Sequence, residues 1–194
     1  MRVRRGAGAR AEGAEEGAQA LARLVRAEDV DDDAVKAAID RLAGEARGTE
    51  VDAGAFGNEA WEVVWSEGTM AWRALVANFV QAIAGTCRAG QAIAPSDDGA
   101  PVWNWAELFD GRVVVLAEGT CAPIPGRDSM PVAYDVSISR GAIRFGTQSF
   151  DIPISGPGQF EVLYADRNAG VRVFRSSGGI AVQVPSDFEK PKGM

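Results

Sequence analysis

The chain contains no histidine. That removes the side chain that titrates near neutral pH, and with it the ordinary Ser-His-Asp and Cys-His arrangements of nucleophilic catalysis. Cysteine is nearly absent too: Cys87 and Cys121 stand far apart and form no CxxC, so a structural zinc site, which usually takes four Cys or His ligands, is excluded. Two buried thiols are the simple expectation, and a bridge would need closely spaced Cα atoms that sequence alone does not establish. Positive charge is scarce, with 20 Lys and Arg against 27 Asp and Glu and a net charge of −7. A surface that tracks nucleic-acid phosphates relies on clustered basic residues, so nucleic acid is not an expected partner. No run of about 18 apolar residues exists, so no segment reads as a membrane-spanning helix.

Recognisable catalytic motifs are also missing. Asp128, Asp135 and Glu161 are carboxylates of the type used in acid–base chemistry, but none lies in a motif. Residues 6–11 imitate a glycine-rich dinucleotide fingerprint without the preceding strand that such a turn needs. The acidic triplet Asp31, Asp32 and Asp33 reads as a helix start, because consecutive carboxylates do not converge on one ion without a looped cage. The expectation is therefore a protein that is not an enzyme, with no cofactor and no metal.

What the chain does contain is enough for one substantial core: 194 residues, 46% hydrophobic. Residues 1–11 carry Arg2, Arg4, Arg5 and Arg10 with no acid, a disordered basic segment with the composition of an organellar transit-peptide remnant. Residues 12–47 have apolar residues at helical spacing, Leu21, Leu24 and Val25 and then Val35, Ala38, Ile39 and Leu42, which predicts two helices packing on the rest. From Trp61 the pattern turns to short alternating runs punctuated by Gly and Pro. Strands are predicted over 61–66, 89–94, 101–105, 112–119, 131–139, 141–146, 148–154, 160–165, 170–175 and 179–184, with a turn at Arg140-Gly141. Trp72, Leu75, Val76, Phe79, Val80 and Ile83 predict one helix after the first strand, closing a mouth of the β structure. Residues 48–184 form the β unit, and 185–194 read as a frayed tail. Many short strands in one domain favour a closed antiparallel arrangement, which removes exposed edges.

The stretch from Phe160 to Val184 carries a resemblance. Tyr164 and Asp166 precede an Arg-x-x-Arg strand, Arg172 and Arg175, and a final strand led by Gly179; Trp61 to Gly68 supplies a tryptophan-led first strand. Gly111 to Pro123, followed by Pro131 to Gly146, supplies a central strand pair. This pattern, over roughly residues 34–184, resembles the plastid lipid-associated proteins, or plant fibrillins, with Trp65 where a tyrosine is common. The resemblance implies a mainly β, lipocalin-like antiparallel β-barrel. It also implies non-catalytic binding of apolar small molecules or lipids such as carotenoids, quinones and fatty acids, and a place in the plastid, in the stroma or at plastoglobules and thylakoids. A peripheral membrane or lipid-body surface and a protein partner enter as candidate contacts on the same ground.

A barrel of about eight strands is either filled by side chains or holds one small ligand. Period-two spacing predicts that Trp61, Val63 and Trp65 share one face, and that Phe160, Val162 and Tyr164 share another, the two sets lining an interior pocket. The same pattern fits a solid core equally well. Asp166 and Arg172 flank a hairpin turn as a pair that pins it or as a cation greeting a lipid carboxylate or phosphate. Arg175, three residues on, falls on the opposite face. Two further functions stay open: a docking module with a solid barrel, and a small enzyme acting on an apolar substrate.

Overall fold

The computed structural model describes residues 6–50, 59–68, 87–93, 100–126 and 129–190. The expected helix over residues 72–83 lies outside the described residues, as does Asp128. Two helices come first, α1 (Gly6–Leu24) and α2 (Asp32–Ala46). Nine strands follow among the described residues: β1 (Ala60–Glu67), β2 (Cys87–Ile93), β3 (Ala100–Leu108), β4 (Val113–Pro123), β5 (Val132–Phe145), β6 (Gln148–Ile152), β7 (Gly156–Asp166), β8 (Val171–Ser176) and β9 (Gly179–Pro185).

All pairings are antiparallel, in the order β4-β3-β2-β1-β9-β8-β7-β5, and β5 pairs back onto β4. Eight strands therefore close into a ring, and β6 hangs outside it as a hairpin on the far half of β5. Closure matters because it satisfies backbone groups that an open sheet would leave on its edges. The turn expected at Arg140-Gly141 does not exist. β5 runs straight through it for 14 residues, with Ser139 as an extra residue where Glu118 faces Arg140 and Gly119 faces Ile138. That bulge sits where β5 changes partner from β7 to β6, as a bulge bends its strand and lets pairing be redirected.

The helices cover the outside of the ring over β7 and β8. Asp31 caps α2, its Oδ1 accepting from the Ala34 amide at 3.0 Å. Val35, Ile39 and Leu42 of α2 and Ala18, Leu21 and Ala22 of α1 are buried. The two helices cross closely at Gly17, where a Cβ would approach Leu42 Cδ2 to 3.0 Å. Helix α1 takes in residues 6–11 of the segment expected to be disordered, and residues 1–5 lie outside the described residues; its alanines cost little conformational entropy on helix formation.

Residues 186–190 are not a frayed tail. They lie across the outer face of β2, β3 and β4, where Phe188 stacks on Trp105 with centroids 4.2 Å apart and planes 5° from parallel. Trp105 lies flat over Gly90, where any Cβ would come within 2.6 Å of the indole. Arg88 gathers Glu62, Glu107 and Asp187 beside this stack, and Lys190 pairs with Glu118. The cysteines also depart from expectation. Both are free, and Cys87 is exposed while Cys121 is buried. Cys87 pairs with Leu108 and Cys121 with Ala100, opposite ends of β3 and about 26 Å apart at the usual strand rise, so they do not bridge.

Candidate functional site: the interior of the ring

Two bulges decide which side chains enter the ring. In β1 the sequence Trp61-Glu62-Val63-Val64-Trp65 pairs with β9 so that Val63 faces Gln183 and Trp65 faces Val182, leaving Val64 as the extra residue. In β7 the sequence Phe160-Glu161-Val162-Leu163-Tyr164 does the same, with Val162 facing Phe174, Tyr164 facing Val173, and Leu163 extra. An extra residue reverses the alternation beyond it. Trp61, Val63, Phe160 and Val162 consequently face inward, whereas Trp65 and Tyr164 face outward beneath the helices. Trp65 Nε1 donates to Asp32 Oδ1 at 2.8 Å, at the start of α2. The Tyr164 hydroxyl donates to Asp166 Oδ2 at 3.2 Å and lies 3.4 Å from the Ala14 carbonyl of α1. Four of the six expected pocket residues thus face the interior, and the second aromatic of each strand is an anchor for the helices instead.

Asp166 and Arg172 do not pair. Asp166 faces outward and closes the β7–β8 turn, its Oδ1 accepting from the amides of Asn168 and Ala169 at 2.9 and 3.0 Å. Arg175 is likewise outside, held by Glu161 at 2.7 Å. Asp135 accepts from Gln159 at 2.7 Å on the same exposed surface. The carboxylates considered for acid–base work are therefore surface partners where they are described.

Arg172 is the residue that sequence reasoning misplaced. Its neighbours Val171 and Val173 pack outward under the helices, which sends Arg172 inward, and it is 1% exposed. From β8 its guanidinium lies 5.0 Å from the Trp61 ring on β1. Arg172 Nε donates to Gln183 Oε1 on β9 at 2.6 Å, and one terminal nitrogen reaches Gln91 Oε1 on β2 at 3.5 Å. Gln91 in turn donates to Asn104 Oδ1 on β3 at 3.0 Å. Cys121 on β4 and Tyr134 on β5 complete its electrostatic surroundings. Groups from five other strands, β1, β2, β4, β5 and β9, surround this one cation, and β3 joins through Gln91.

No carboxylate faces Arg172 among the described residues, so burial dominates its titration and drives the guanidinium down to about 9, opposed in part by Cys121 and Tyr134. Burial also pushes the Cys121 thiol up to about 11 and raises the Tyr134 phenol. Both groups are neutral at pH 7, and a thiol held so high is a poor nucleophile. Two buried donors in this cluster, Arg172 Nη1 and Gln183 Nε2, meet no acceptor among the described residues.

Beside the cluster lies an open cleft of about 690 Å³ across β5, β7 and β8, lined by Val136, Gly158 and Phe160 and by the outer-surface side chains Asp135, Glu161 and Arg175. Phe160 links the two features. It stacks on Tyr134, with centroids 5.1 Å apart, and meets Phe174 edge-on at 6.4 Å. The signal that would have exposed the bulges is the doubled apolar pair, Val63-Val64 and Val162-Leu163, which interrupts strict alternation. The signal for Arg172 is a strand otherwise apolar on both faces, the mark of a strand buried on both sides. Among known proteins, no family model, curated sequence or solved structure matches this chain.

Proposed function

We propose that the closed ring is a lipocalin-like barrel that binds and sequesters apolar metabolites of the class of carotenoids, quinones and fatty acids, without catalysis. The observation that carries this reading is the junction at Phe160, which borders an open cleft of mixed apolar and charged lining and also stacks in an inward-facing aromatic cluster with Tyr134 and Phe174. A ring of eight strands is of a width that side chains fill or that holds one small ligand, and this reading takes the second. The driving force is transfer of apolar ligand surface out of water, about 25 cal/mol per Å². The plastid location, at plastoglobules or thylakoids, rests on the sequence resemblance alone. Saturable quenching of tryptophan fluorescence by an apolar ligand, competed by a second one, tests the reading; linear partitioning without saturation for every such ligand would remove it.

A second reading, docking on a lipid body or membrane surface, is favoured by one feature. Phe145 and Phe150, on the β5–β6 hairpin outside the ring, are 47% and 52% exposed. Co-sedimentation with lipid vesicles that is lost when both are replaced by Ser would support docking, and unchanged sedimentation would count against it.

A further inference from the structure

We infer that Arg172 and Gln183 form a buried subsite for the carboxylate of a long-chain monocarboxylic acid, so that the ligand is an acid and not a neutral lipid. This rests on the sequestration reading above and specifies the ligand's head group.

The argument is one of unmet valences. Both side chains are essentially inaccessible, Arg172 1% and Gln183 0% exposed. A buried polar atom without a partner is costly, and native interiors contain few. The two in this cluster, Arg172 Nη1 and Gln183 Nε2, are both donors. They stand on residues that face each other directly across β8 and β9. The assignment of the Gln183 amide is fixed by its neighbour: Arg172 Nε already donates to its oxygen at 2.6 Å, and turning the amide over would set donor against donor. What this cluster lacks among the described residues is therefore an acceptor.

Charge narrows the acceptor further. A ketone, ester or hydroxyl oxygen would satisfy a donor but leave a bare cation in a low-dielectric site, whereas a carboxylate satisfies both donors and neutralises the charge. A phosphate monoester would bring surplus negative charge into the same dry space. The apolar part of the ligand has a place to go, since Phe160 borders both the cleft and the Tyr134 ring beside Arg172. Entry from the cleft requires the Tyr134–Phe160–Phe174 cluster to turn aside.

The test is isothermal titration of the purified full chain with laurate, methyl laurate and lauryl alcohol, which share one tail. The wild-type protein is expected to bind laurate about tenfold or more tightly than either neutral analogue, the scale of a charge-assisted hydrogen bond. In Arg172→Met and in Gln183→Leu that preference shrinks, most in Arg172→Met, while Arg140→Met, which removes an outer-surface arginine paired with Asp151, retains it. Equal affinity of the wild type for all three would overturn the carboxylate subsite and leave sequestration standing; binding of none would end both. Preference that survives in Arg172→Met would place the anion elsewhere and likewise overturn the inference. Should Arg172→Met fail to fold, the wild-type comparison and Gln183→Leu decide the matter.

Discussion

Replacing Arg172 with Met should make the ligand-free protein more stable. Burial lowers the guanidinium from its ordinary, strongly basic range to about 9. At about 1.4 kcal/mol per unit, the folded state disfavours the cation by about 5 kcal/mol at neutral pH. Losses offset part of that gain: the contact with the Trp61 ring contributes about 1–2 kcal/mol, and the Gln183 oxygen, left without its donor, costs about 1–3. Met fills a similar volume without charge, so the net effect is a stabilisation of up to about 3 kcal/mol, or up to roughly 8 °C in Tm for a chain of this size.

The effect has a pH signature. The folded value lies below the unfolded one, so above about pH 9 the unfolded chain holds more protons at this site and wild-type stability rises with pH; below about pH 9 the penalty is present in full. The stability gap between variant and wild type should therefore be constant up to about pH 8 and narrow by about 1 kcal/mol by pH 10. Taking the difference cancels the titration of lysines and tyrosines common to both proteins. Urea unfolding followed by circular dichroism at pH 7, 8 and 10 reads all of this. A variant less stable than wild type, or a gap that does not change by pH 10, would refute the argument, because the guanidinium would then be compensated inside the ring.

Three further outcomes follow from the packing. Trp65→Phe removes the hydrogen bond to Asp32 and should cost about 1 kcal/mol in urea unfolding while leaving ligand affinity unchanged, because the indole lies outside the ring. Phe188→Ala empties the stack on Trp105 and should cost about 3 kcal/mol, a loss that a frayed tail would not produce. In the native protein a thiol reagent at pH 8 should modify Cys87 and spare Cys121 until the chain unfolds; equal reaction of both, read by intact mass, would contradict the burial of Cys121.

Much of the fold was legible because alternation and turn residues are local signals. The strands from β1 to β9 fall close to their expected positions, and Asp31 caps α2 as its side chain and the following apolar spacing implied. What escaped the sequence was long-range. Ser139 makes one bent strand from two expected ones, because Arg140 and Gly141 resemble a turn locally but pair across to Glu118 and Ala117. The same kind of extra residue at Val64 and Leu163 sends Trp65 and Tyr164 outward, a change of side that period-two counting does not register unless the doubled apolar pair is taken as a break. Arg172 was hidden for a complementary reason. A charged residue beside a turn reads as surface, and only the covering of Val171 and Val173 by helices far away in sequence turns it into the ring. The docked tail depends on a pairing of Phe188 with Trp105, which no local pattern encodes.

The central claim is that the ring's interior awaits an acidic guest. Native mass spectrometry of the protein, purified without detergent after exposure to a cell lipid extract, measures this directly. The account predicts a bound species at one molecule per chain whose released ligand is a monocarboxylic acid, and loss of that species in Arg172→Met. Recovery of the bare chain alone, or of neutral lipids in equal amount from both proteins, would contradict it.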